Sequence, residues 1–153
     1  MISYKYINLK KDLILIFIMG SIYMILEGLW HGWTHISMLV VGGISAFFIG
    51  KLNEGHGFSN RRMWEQCLIG TLIILVLEFV SGVILNIWLQ FEIWDYSNIW
   101  GNILGQICIP YAVIWFLLVP FNIYVDDYLR YKFFGEKKPE KLITNYKRLF
   151  LYK

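Results

Sequence analysis

Four apolar stretches separated by short polar segments set the pattern of this chain. They run over about residues 13–30, 36–51, 64–89 and 103–125. A helix rises about 1.5 Å per residue, so about 20 residues cross a hydrocarbon core of about 30 Å. The pattern therefore predicts an all-α, four-helix transmembrane bundle, with the second span short for the task. That second span holds Gly42, Gly43, Ser45, Ala46 and Gly50, small residues of the kind that let helix backbones approach closely in a membrane. Pro110 falls inside the fourth stretch and predicts a kink, and Pro120 a second one nearer its end. Beyond it, Leu142, Ile143, Tyr146, Leu149 and Phe150 recur at helical spacing among Lys141, Lys147 and Arg148. This predicts a C-terminal amphipathic helix lying on an anionic membrane surface. The domain reading is a transmembrane unit over residues 1–130 and a basic cytoplasmic tail over 131–153.

Composition sharpens the class. The 153 residues are 58% hydrophobic and 16% charged, too few charges to cover a soluble core. The 14 lysines and arginines lie in residues 1–12, in the 51–62 loop and from Asp126 onward. The 31–35 and 90–102 connections carry none. With four spans, the positive-inside rule places both termini in the cytoplasm. A basic start before an apolar run also resembles a signal peptide, but bulky residues and Glu27 follow, so an uncleaved span is expected. Cys67 and Cys108 fall in different spans near opposite faces, so no disulfide is expected. The net charge of +3 is not a nucleic-acid signature.

Candidate chemistry sits on two acids. Glu27 and Glu78 lie within apolar spans, where a charge costs on the order of 3 kcal/mol even on lenient scales. They could face each other and relay protons or bind a cation or amine, or be protonated donors that fix helix packing. His31 and His35 follow Glu27 at four-residue intervals, so helical spacing would stack all three on one face. The set Glu27, His31 and His35 is the candidate metal site, although its ligands spread far along one helix and an outer-rim position of the histidines is the plainer reading. Asn86, Gln90, Asn98, Asn102 and Gln106 gather towards one end as a polar vestibule or as hydrogen-bond glue. Asp95 suits a turn or a helix cap. Gly20-Ser21…Glu27…Gly32 is matched by Gly70-Thr71…Glu78…Gly82, which suggests two helical hairpins in a parallel repeat. No nucleophile–base pair, phosphate loop or redox motif is present, so no enzyme activity and no cofactor are expected.

Leu77-Glu78-Phe79, Gly82-Val83-Ile84-Leu85, Trp94-Asp95-Tyr96-Ser97, Asn102-Ile103-Leu104-Gly105-Gln106-Ile107-Cys108 and Trp115 resemble the Putative ABC-transporter type IV family of small bacterial membrane proteins. Gly20-Ser21 and Glu27 look like that family's first span. The segment His31-Gly-Trp-Thr-His35 departs from it, since a Gly-Pro-rich loop is usual there. The resemblance implies a permease-like transport subunit of the bacterial cytoplasmic (inner) membrane. Its site would be drawn from Glu27, Glu78, Asp95, Asn102 and Gln106. Its partners would be the lipid bilayer and either further copies or other membrane subunits. A non-transporting scaffold or regulatory protein is the alternative, and a membrane-embedded metal protein or enzyme a third.

Overall fold

The computed structural model describes residues 2–54 and 61–151, with side chains from residue 9 onward. His56 and Asn60 of the basic loop lie outside the described residues. The elements are α1 (Ile2–His31), α2 (Ser37–Gly50), α3 (Met63–Gly82), α4 (Ile109–Phe134) and α5 (Leu142–Phe150). A 3-10 turn, Lys51–Asn53, prolongs α2, and a π-helical segment, Val83–Trp88, prolongs α3. Among the described residues there is no strand, only an isolated bridge between Ile103 and Ile107.

Among the described residues three helices are long and apolar enough to cross a membrane: Leu9–His31, Met63–Trp88 and Ile109–Phe134. The second expected span does not reach that length. Its 14-residue helix is about 21 Å long at 1.5 Å per residue. It is instead built for burial. A Cβ on Gly43 would meet the Ile16 carbonyl oxygen of α1 at 2.3 Å, and one on Gly20 would meet the Leu39 carbonyl oxygen of α2 at 2.0 Å. The two backbones touch, and α1 packs chiefly on α2, α3 chiefly on α4. In the second pair Gly70 receives a side chain and not a backbone: its added Cβ would meet Val119 Cγ2 at 2.8 Å.

The fourth helix begins at Ile109, not near Ile103. Pro110 thus occupies the first turn, where its missing N–H costs nothing, and the expected kink there does not arise. The residues before it fold into an ordered connection, 89–108. Pro120 is internal to α4 and has no N–H to give the Phe116 carbonyl one turn back. α5 docks beside this turn: Tyr146 Oη donates to the Leu117 carbonyl at 2.9 Å and Asn145 Nδ2 to the Pro120 carbonyl at 3.3 Å.

Gly135, at φ +68°, ends α4 in the left-handed conformation that glycine favours, and returns the chain towards the bundle. The C-terminal helix is therefore short and docks by one face. Leu149 joins Ile49, Leu52, Met63, Cys67, Val119 and Ile123 in a buried cluster. Ile143 and Phe150 remain exposed. Residues 142, 145, 146 and 149 share a face at helical spacing, which is why part of the predicted interfacial surface is spent within the chain.

The end that carries the basic residues is tied by ions. Arg130 Nε meets Asp126 Oδ2 at 2.6 Å and its Nη1 meets Glu54 Oε1 at 2.5 Å. Lys51 bridges Glu54 at 2.9 Å and Asp12 at 3.5 Å, Lys11 pairs with Glu136, and Asn53 Nδ2 donates to Asp127 Oδ2 at 2.8 Å. These contacts join α1, the end of α2 and α4.

Candidate functional site

At the opposite end, α1 stops because Gly32 adopts φ +81°, a conformation with little cost only for glycine. The reversal folds Thr34 back over the helix, and its Oγ1 donates to Glu27 Oε2 at 2.5 Å. Glu27 is half-buried and faces inward from the last turns of α1.

Glu78 lies deeper. It is 8% exposed on α3 and accepts two hydrogen bonds, from Tyr96 Oη to Oε1 at 3.2 Å and from Trp115 Nε1 to Oε2 at 3.1 Å. Tyr96 comes from the 89–108 connection and Trp115 from α4. Tyr96 stacks on Tyr111 with centroids 4.7 Å apart, and Trp115 lies 6.0 Å from the ring of Tyr23 on α1. Burial, and then the carboxylate beside it, push the Tyr96 phenol upward, so it remains a donor at neutral pH.

Two cavities meet here. The inner one, about 150 Å³, is bounded by Tyr23, Glu27, Ser45, Glu78, Trp115 and Asn122 among others. The outer one, about 280 Å³, includes Glu27, His31, Thr34, Asp95 and Tyr111. Glu27, Trp94 and Tyr96 border both. Among the described residues neither cavity is lined by a lysine or an arginine. The arrangement is a line of carboxylates running inward, with rings beside Glu78 and aliphatic side chains such as Met19, Ile49 and Val125 over most of the inner wall.

The connection that supplies Tyr96 is organised around Gln106. Gln106 Oε1 accepts from Asn86 Nδ2 at 2.9 Å, its Nε2 donates to the Leu104 carbonyl at 2.9 Å, and its own carbonyl accepts Trp94 Nε1 at 3.0 Å. Asn102 Nδ2 donates to the carbonyls of Ser97 and Ile99 at 3.1 and 2.8 Å, and its Oδ1 accepts the Gly105 amide at 3.1 Å. Asn102 and Gln106 thus hold the connection in shape and border neither cavity. Asp95 does border the outer cavity, while its Oδ1 accepts the Ser97 amide and hydroxyl at 2.8 and 2.5 Å. Those two bonds hold its carboxyl below the usual aspartate range.

The single-face stack of Glu27, His31 and His35 does not form, because α1 ends at His31. His31 reaches the outer cavity. His35 instead faces Ser37 at the start of α2, with Nδ1 at 2.8 Å from Oγ, and lies 5.8 Å from the ring of Phe91. Among the described residues no three His, Cys, Asp or Glu groups are placed to share a metal ion.

Sequence reasoning identified both acids but missed Tyr23, Trp94, Tyr96, Trp115 and Thr34 as their surroundings. Trp94 and Tyr96 stand in the Trp-Asp-Tyr-Ser segment, which was a signal. Nothing local marks Tyr23 or Thr34.

A family model described as Putative ABC-transporter type IV matches residues 14–144, which takes in both acids, the connection and the start of α5. The chain belongs to that family. The match takes in the first span, where Gly20-Ser21 and Glu27 resembled the family, as well as the second half with most of the motifs, and covers the divergent His31–His35 segment. No curated protein and no solved structure matches the chain. The three apolar helices and the family together make this a membrane protein of a transporter-related family, in contact with lipid.

Proposed function

We propose that the chain is a transport subunit whose ligand site is the Glu27–Glu78 cavity. The observation that carries this reading is the pair of carboxylates on one cavity without a lysine or arginine beside them. A carboxylate placed so is expensive in a membrane and is kept where it has a task. In this reading α2, lengthened by its 3-10 turn, is the fourth crossing, held by glycine contacts where its length is short. The two glycine-packed pairs, α1 with α2 and α3 with α4, act as parallel hairpins. Both termini lie in the cytoplasm of a bacterial cell, on the basic side, and the outer cavity opens to the exterior. Four helices enclose little, so a second copy or other membrane subunits complete the pathway, and the ATP hydrolysis implied by the family description belongs to a separate chain. The subunit itself catalyses no reaction.

Transport requires the inner cavity to be reached from both sides in turn. Ser45 borders it, and cysteine is close to serine in size. With Cys67 and Cys108 replaced by serine, Ser45→Cys should react with a membrane-impermeant thiol reagent applied to either face of sealed vesicles. Thr34→Cys should react from the exterior alone. Labelling of Ser45→Cys from one face only, or from neither, overturns transport in favour of a membrane scaffold.

A further inference from the structure

We infer that the cavity between Glu27 and Glu78 takes a small organic cation, an alkylammonium or quaternary ammonium ion. The inference rests on the reading of this cavity as the ligand site and names the chemistry that fits it.

Charge is the first argument. Glu27, Glu78 and Asp95 border the two cavities, and no lysine or arginine among the described residues does. Glu78 is met only by neutral donors, the Tyr96 hydroxyl and the Trp115 indole. A ligand of positive charge supplies what the protein does not.

The walls decide which kind of cation. An inorganic divalent ion replaces its water with six or more oxygen ligands, or with a tight set of His, Cys and carboxylate groups. Among the described residues no such set is assembled, and the carboxylates come from separate elements. Aliphatic side chains make most of the inner wall, and aromatic rings stand next to the carboxylates. Tyr23 and Trp115 stand on one side of the inner cavity, Trp94 and Tyr96 border both cavities, and Tyr111 continues the wall outward, stacked on Tyr96. Aromatic faces attract a weakly hydrated organic cation within about 6 Å of the ring, and this is the mode by which quaternary ammonium groups are recognised. The inner cavity of about 150 Å³ would hold about five waters at about 30 Å³ each, which is room for a ligand of a few heavy atoms. Glu27, at the junction, would pass the cation from the outer cavity to Glu78.

The test is calorimetric titration of the full chain in lipid nanodiscs with choline, with its neutral carbon isostere 3,3-dimethylbutan-1-ol, and with sodium and potassium chloride. Choline should bind saturably, and the alcohol and the inorganic cations should not. Glu78→Gln should weaken choline at least tenfold. Tyr23 borders the inner cavity, and its hydroxyl makes no hydrogen bond among the described residues, so Tyr23→Leu should weaken choline by about two- to thirtyfold, a range that follows from 0.5–2 kcal/mol per cation–ring contact. Tyr23→Phe, which keeps the ring, should bind as the unaltered protein does. Binding of the alcohol as tight as that of choline overturns the inference, because the cavity is then merely apolar. Equal binding of sodium or potassium overturns it in favour of an inorganic ion, and absence of choline binding by folded protein overturns it outright. The cysteine labelling above is independent of this outcome. Choline binding with one-sided labelling removes transport and leaves the cation site, and the converse removes only the ligand class.

Discussion

Glu78 depends on two residues that no local pattern connects to it. Tyr96 and Trp115 each give it one hydrogen bond, and a buried acceptor that loses a donor costs about 1–3 kcal/mol. Tyr96→Phe and Trp115→Phe should each lower stability by about that amount, measured by urea or thermal unfolding in detergent. Their effects should couple, because the carboxylate that one leaves half satisfied is the one the other abandons. Strict additivity would show that the two donors do not act on one group. Asp95 gives a test in pH. Its folded-state pKa lies below the ordinary value of about 3.9, so the contribution of its Ser97 bonds is present above that value. It is lost as pH falls through the lower, folded-state value. Acidification into that window should loosen the connection, read by the fluorescence of neighbouring Trp94 and Trp100, and Asp95→Asn should remove that acid step. The acids themselves were legible in the sequence because charge within an apolar span stands out. Their partners were not, because Thr34 reaches Glu27 only after Gly32 reverses the chain, and Tyr96 meets Glu78 only after the connection folds.

At the scale of elements, apolar runs located the helices well, since the hydropathy of a span is a property of consecutive residues. They placed the start of α4 too early. Residues 103–108 are apolar enough to join a span, yet their backbone is held by Asn102, by Gln106 and by positive φ at Leu104 and Gly105, none of which hydropathy can register. The small residues of α2 were a sounder guide, because a missing side chain permits a contact that the structure then makes. Gly20→Ala should be severe: its methyl group would sit 2.0 Å from a backbone oxygen of α2, which no rotamer change can relieve. A loss of about 1–3 kcal/mol or more is expected on unfolding. Gly28→Ala, on the same helix, would meet only the Thr34 methyl group at 3.4 Å and should be neutral or gain up to about 1 kcal/mol from helix propensity. Equal tolerance of the two would mean that α1 and α2 are not in backbone contact.

Over the whole molecule the two ends differ in kind. One is closed by ions between α1, α2 and α4, and the other holds cavities and rings. Within the closed end, the Asp126 and Arg130 side chains are 0% and 3% exposed, and Asp126 Oδ1 and Arg130 Nη2 have no hydrogen-bond partner. Such a pair is costly to break and inexpensive to replace. Asp126→Asn leaves Arg130 paired with Glu54 and should destabilise the protein by about 1–3 kcal/mol, whereas Asp126→Leu with Arg130→Met should cost less than Asp126→Leu alone. A double variant weaker than Asp126→Leu would show that the pair contributes net stability. The docking of α5 at Pro120 bears on how the protein is made. During synthesis the carbonyls of Leu117 and Pro120 and the apolar cluster around Cys67 leave the ribosome before Asn145, Tyr146 and Leu149 exist to cover them. α5 therefore covers a seam made before it, and a chain halted before residue 142 would sit in the membrane with that seam open to a quality-control protease.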